Sequence, residues 1–128
     1  MRRKVRDDVL REIGHASTGD RRPNFHAWDL TDADLTHLHL PNVDFSKANL
    51  TGANLHEAIL ASATYDPAQF LNARGINPYN PRHYTSTHRF DTILPTDPDT
   101  QELLRELLQD WEGTLGEAIT AAEELRRA

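Results

Sequence analysis

The sequence predicts a mainly β chain: a short solenoid with a helix at each end. Three observations carry this. A large apolar residue falls at every fifth position from Phe25 through Leu30, Leu35, Leu40, Phe45, Leu50, Leu55, Leu60 and Tyr65 to Phe70. Two positions earlier stands a small or apolar residue at most steps: Ala33, Leu38, Val43, Ala48, Ala53, Ala58, Ala63 and Ala68. On either side of this run the period changes to that of a helix.

A five-residue beat matches neither the helical 3.6 nor a plain alternating strand. Within each unit, however, two apolar residues two apart flank a polar one, often Asp29, Asp34, Asp44, Asn49 or Asn54. That is strand alternation, with both apolar residues facing one side. Each unit is then a short extended piece followed by a two-residue corner. Thr31-Asp32, Ser46-Lys47 and Thr51-Gly52 suit corners, since they bond locally or tolerate unusual dihedral angles. A chain that turns in the same sense at every corner coils, with its apolar residues on the axis.

The run Ala48-Asn49-Leu50-Thr51-Gly52, then Ala53-Asn54-Leu55-His56-Glu57, resembles the Ala-(Asp/Asn)-Leu-x-x motif of pentapeptide-repeat proteins. The resemblance covers residues 25–70. It implies a right-handed quadrilateral β-helix with one pentapeptide per side and the centre and small residues inside. Trp28, Leu38 and Val43 stand where small residues are usual, and His39 and Ile59 also depart from the motif. These departures predict a locally wider or irregular coil.

Four sides of five make a coil of twenty, so residues twenty apart should stack. Phe25, Phe45 and Tyr65 then form an aromatic column, with Leu30, Leu50 and Phe70 beside it. The span holds about two coils, a stub of ~10–15 Å at strand spacing. Both ends of so short a core need caps.

The flanks supply cap candidates. Residues 1–24 are an N-terminal helix and cap, with Val5, Val9, Leu10 and Ile13 at helical spacing over 3–17 and a break at Gly19 to Pro23. The mixed charge of this helix favours a cap over a nucleic-acid-binding role. Residues 71–97 read as an irregular connector whose Tyr79, Arg82, His83, Tyr84, His88, Arg89 and Phe90 are suited to lie along the solenoid or meet a partner. Residues 98–128 read as one long amphipathic helix, with Asp97 as N-cap and Pro98 at its first position. Leu104, Leu108, Trp111, Leu115, Ala118, Ala122 and Leu125 alternate steps of four and three, the spacing of a coiled-coil seam. Gly113 and Gly116 fall off that seam. Such a helix either covers the end of the solenoid or pairs with its copy. Dimerisation through C-terminal elements is what the family resemblance implies. All four segments belong to one structural domain.

Charge is uneven. Residues 1–24 carry seven basic and four acidic groups, residues 25–70 six acids and one Lys, and residues 97–128 nine acids and three Arg. An acidic solenoid and tail repel phosphate, so no direct nucleic-acid contact is expected there. The chain has no cysteine, which excludes disulfides and thiolate chemistry and fits a reducing, cytoplasmic setting. The sequence predicts no signal peptide and no membrane span.

Chemistry is sparse. His37-x-His39 is the nearest approach to a metal motif, and stacking places Glu57 over His37 and Ile59 over His39. Four settled zinc ligands do not follow from this, so surface histidines are the expectation and no metal or cofactor is predicted. None of the serines sits in a nucleophile elbow, and no Gly-rich phosphate loop follows a strand. The chain therefore reads as a non-enzymatic binding or scaffold protein acting through protein–protein contacts. Its contact candidates are the helix seam just named and an acidic face of Asp29, Asp32, Asp34, Asp44, Glu57 and Asp66. Some pentapeptide-repeat proteins imitate duplex DNA and bind type II topoisomerases such as DNA gyrase. The resemblance thus implies an alternative, an acidic DNA mimic that modulates or protects such an enzyme. An accessory subunit of a larger complex is the second alternative.

Overall fold

The computed structural model describes residues 3–40, 42–80 and 90–128. Its unit is the corner. At each one the N–H of the small residue donates to the carbonyl of the preceding centre, as in Ala48 to Phe45 (2.9 Å), Ala53 to Leu50 (3.0 Å) and Ala63 to Leu60 (3.1 Å). The second corner residue always has positive φ: Ala27, Asp32, His37, Asn42, Lys47, Gly52, Glu57 and Ser62. An i→i+3 bond with positive φ at i+2 alone is a type II turn. For the residues other than glycine this left-handed conformation costs roughly 1–2 kcal/mol, so the stack around the corners must hold them.

The polar residue between the two apolar ones helps to hold them. The Asp29 Oδ1 atom accepts from the Thr31 N–H (3.1 Å) and hydroxyl (2.5 Å). Asp34 does the same for Thr36, Asp44 for Ser46 and Asn49 for Thr51. Asn24 and Asn54 capture the N–H of His26 and His56. These local bonds fix the first corner residue before any rung forms.

The rungs then join residues twenty apart, all parallel: Asn24 with Asp44, Asp29 with Asn49, Asp34 with Asn54, His39 with Ile59, Asp44 with Thr64 and Asn54 with Arg74. Each side contributes a single bridging residue, so the described residues form a laddered coil without extended strands. The solenoid runs from Asn24 to Arg74, slightly beyond the predicted 25–70. Every centre from Phe25 to Phe70 is buried, and Phe25 stacks on Phe45 with centroids 5.4 Å apart.

The predicted irregularity lies elsewhere than expected. Leu38 and Val43 are only 7% and 1% exposed, and the rung from His39 to Ile59 is regular. The break comes at Pro67–Asn72, a 3₁₀ segment that replaces one side. There Ala68, expected inside, is exposed. The cause is local: Asp66 caps the segment by accepting from the Ala68 N–H, and Pro67 starts it. The Gln69 N–H turns to Asp66, while its side-chain amide donates to the Phe45 and Ala48 carbonyls, both at 2.8 Å. The aromatic column ends here as well, since Tyr65 packs on Phe70 (4.7 Å) and Phe90 (5.8 Å).

Helix α1 spans Arg6–Thr18 and covers the first coil. Arg3 bridges to Asp29 and the Lys4 N–H donates to the Asp29 carbonyl, so the chain begins as a partial rung beneath the coil. Val9 joins the core cluster, with Ile13 packed against it. The Arg6 guanidinium closes open carbonyls at Asp34 and Thr36, and Arg22 donates to the Asn42 carbonyl and, alongside the Thr64 N–H, to that of Val43. Glu12 takes a two-pronged bond from Arg21 and accepts the Asn24 N–H, tying α1 to the start of the ladder.

The other end corrects the sequence reading. The continuous helix predicted over 98–128 is a helical hairpin: α2, Pro98–Leu108, and α3, Leu115–Arg127. Asp97 is the N-cap with Pro98 at the first position, as predicted. The chain then stops at Gln109, and Thr114 opens a fresh capping box with Glu117. Arg126 reaches back to Asp97 (3.1 Å) and Asp99 (3.4 Å), which locks the two helices antiparallel. Thr114 bridges to Arg74 in antiparallel sense, and α3 lies on the 3₁₀ segment. Gly116 permits that approach, since a Cβ there would come within 2.9 Å of the Leu71 carbonyl.

Gly75 should be the least replaceable glycine. Its φ is +77°, and a Cβ would meet the His56 backbone nitrogen at 2.5 Å. Gly75→Ala is expected to lower the melting temperature by several degrees, or ~2 kcal/mol or more. Gly14→Ala, in α1 with open space around it, should raise stability by up to ~1 kcal/mol. Thermal unfolding by circular dichroism reads both, and equal effects would contradict the assigned packing.

Candidate functional site

The six acids proposed as one face do not share one. By register Asp44, Asp29 and Asp34 lie on three successive sides, and Asp32, Glu57 and Asp66 sit at or near three different corners. Most also have local work. The corner hydroxyls and N–H groups of Thr31, Thr36 and Ser46 hold Asp29, Asp34 and Asp44 below the usual carboxylate range. Arg6 lies 3.4 Å from Asp34, and Asp66 caps the 3₁₀ segment.

The solenoid histidines His26, His37, His39 and His56 lie on the surface. His37 stands beside His56, with ring centroids 6.0 Å apart, and His56 Nε2 is 3.8 Å from a Glu57 oxygen. His26 bonds the Ser46 hydroxyl. Among the described residues no group of three or more His, Asp or Glu is placed to hold a metal ion.

The helix seam is used inside the chain. Leu104, Leu108, Leu115, Ala118 and Ala122 are buried in the core cluster, Trp111 is half-buried, and Leu125 is exposed. In this conformation the seam covers the C-terminal end of the solenoid, and pairing it with a second copy would require the hairpin to open. Of the connector residues, Phe90 is buried against Tyr65 and Phe70, and Tyr79 lies under the Arg105 guanidinium at 4.7 Å. Arg82, His83, Tyr84, His88 and Arg89 lie outside the described residues.

What the fold brings together instead is a cleft of about 590 Å³ between the solenoid and the α2–α3 turn. Asn54, His56, Glu57 and Arg74 wall it from the solenoid side, and Asp110, Trp111 and Glu112 from the turn. The Trp111 ring is held by its indole N–H, which donates to the Thr114 carbonyl at 2.9 Å. Arg74 is steadied by its bond to the Gly52 carbonyl. Glu57, Leu108 and Trp111 were each singled out in the sequence, but their meeting depends on the break at Gln109–Thr114. The local signs of that break are Gly113 and the Thr114-x-x-Glu117 capping pattern.

Residues 29–64 match the family model for pentapeptide repeats, in eight copies. Over these residues the chain carries pentapeptide repeats. No curated protein matches the chain. The matched span ends just before the 3₁₀ segment, so the cleft is built where the pentapeptide repeat gives way to the cap. Among the described residues no helix is long and apolar enough to cross a membrane.

The turn carboxylates give a pH prediction. A carboxylate whose folded-state pKa lies below its unfolded value of about 3.9 stabilises the fold above that value. It loses the contribution as pH falls through the folded value. Asp29, Asp34 and Asp44 are all lowered, so melting temperature should drop as pH falls below about 4. Asn replaces Asp in the same role at Asn49. A triple Asp→Asn variant at 29, 34 and 44 should therefore fold at neutral pH and show a shallower acid loss. Parallel profiles for the two proteins would show that other groups control the transition.

Proposed function

We propose that this pentapeptide-repeat protein is a non-enzymatic binding module acting through protein–protein contacts, with the cleft beside Trp111 as its contact site. The observation that carries this is the convergence there of amides, carboxylates, one Arg and a half-buried indole from both parts of the fold. The volume is that of an ordinary binding pocket, large enough for one or two side chains of a partner. A Trp fixed by its own hydrogen bond and surrounded by polar groups is a common interface anchor. An accessory-subunit role is one form of this reading.

The duplex-mimic alternative has less support. The longest ladder, Asp34–Asn54–Arg74–Thr114, joins four residues by three rungs. That is ~14 Å at the spacing of neighbouring strands, against ~34 Å for one turn of duplex. The acids are also spread around the coil and engaged in turns.

The test compares partners captured from host lysate by the wild-type chain and by Asp110→Lys/Glu112→Lys. A specific protein held by the first and lost by the second supports the assignment, with Glu102→Lys as the exposed control. The same proteins captured by both would place the contact elsewhere, and reproducible turnover by the purified chain would end the non-enzymatic reading.

A further inference from the structure

The two ends of the molecule differ in charge and in shape. The ladder fixes which end is which: Arg3 lies beneath Asp29 in the first coil, and Thr114 joins Arg74 in the last. The segment before the solenoid, residues 1–24, has a net charge of +3, and the segment holding the hairpin, 97–128, has −6. Among the described residues three large apolar side chains are exposed, and two of them, Val5 (45%) and Leu10 (44%), belong to the N-terminal end, while the third, Leu125, lies in α3. Leu10 lies on the outward stripe of α1 with Asp7, Arg11, Gly14 and His15, all exposed. The Arg11 side chain is 64% exposed and only loosely paired with Asp8, at 3.5 Å.

At the opposite end an open groove of about 730 Å³ runs between the 3₁₀ segment and α3. Leu71, Ile93, Trp111 and Ile119 line it with apolar surface, Glu117 and Glu124 stand among its lining residues, and among the described residues no base lines it. An apolar groove with acidic groups and no base selects an apolar, basic occupant. Of the exposed stripe of α1, Leu10 and Arg11 supply that chemistry, with Asp7 the one acid among them.

We propose that copies of this chain associate end to end, with Val5, Leu10 and Arg11 of one copy seated in the Leu71–Trp111–Ile119 groove of the next. The contact is heterologous, joining different surfaces at opposite ends of the ladder. Each addition therefore leaves one free head and one free tail, and growth is open rather than closed as in a symmetric dimer. The attraction between the ends is screened by salt. This goes beyond the binding-module reading and uses a different surface from the cleft, although both touch Trp111.

Sedimentation velocity of the full chain tests it. At about 20 mM salt the average mass should rise above 14.5 kDa as concentration goes from about 10 μM to about 1 mM, and fall back at about 500 mM salt. Arg11→Glu and Glu124→Arg, both at exposed positions, should each weaken association about tenfold, with folding checked by circular dichroism. Their equimolar mixture should regain it, because the acidic head of one then meets the basic tail of the other. A monomer at every concentration at low salt overturns the proposal, as does association indifferent to both reversals or a mixture no better than its parts. A monomeric chain that still captures a partner through Asp110 and Glu112 would refute end-to-end association alone. Association with no captured partner would do the reverse.

Discussion

The structure depends on the type II corner. The corners take their backbone from an i→i+3 bond and a residue of positive φ, and six of them are fastened by an Asp or Asn two residues before the first corner residue. Five residues per corner and four corners per coil give the twenty-residue register, and the register places every large side chain on its counterpart. The corners are mostly unfavourable conformations for the residues that occupy them, Lys47 and Glu57 among them. They persist because the centres they carry are fully buried. Local strain and global packing are therefore coupled, and a coil with too few rungs would not sustain its own turns.

That coupling explains the elaborate ends. A solenoid interior is repetitive, but its first and last coils have backbone groups facing nothing. At the start, Arg6 and Arg22 extend guanidinium groups to carbonyls, and Glu12 accepts the Asn24 N–H. At the finish, the Gln69 amide replaces a backbone donor, and the hairpin adds one antiparallel contact at Thr114. Arg6, Arg22 and Glu12 are thus occupied with hydrogen bonding the edge of the ladder. This accounts for charges that look functional in the sequence and prove structural in the fold.

Much of the solenoid was legible because its signal is redundant. Phe25 to Phe70 repeat one statement ten times, and Leu38 or Val43 in a small-residue position does not overrule the rest. The helix seam was legible as apolar periodicity but not as connectivity. Leu108, Trp111 and Leu115 keep helical spacing across a turn that is not helical, so periodicity alone could not reveal the break. The break follows from Thr114 and Glu117 capping a second helix, a local competition that an apolar count does not register. The cleft was illegible for the same reason, because it exists only once the turn turns. The acidic face was illegible for another reason: acids close in sequence do not share a surface, because each corner rotates the next one to a new side.

The substitution at Gln69 has a consequence for how such a molecule can vary. A side-chain amide imitates the backbone donor that the coil would otherwise supply, and the junction with the cap uses the Phe45 and Ala48 carbonyls together with ordinary ladder bonds at Gly52, Ala53 and Leu55. Any coil in the stack presents carbonyls in the same places. A duplication of twenty residues would therefore carry the C-terminal cap one storey higher, about 4.8 Å, without a new contact having to be invented. Height in this architecture is a countable quantity, and the two caps are indifferent to its value.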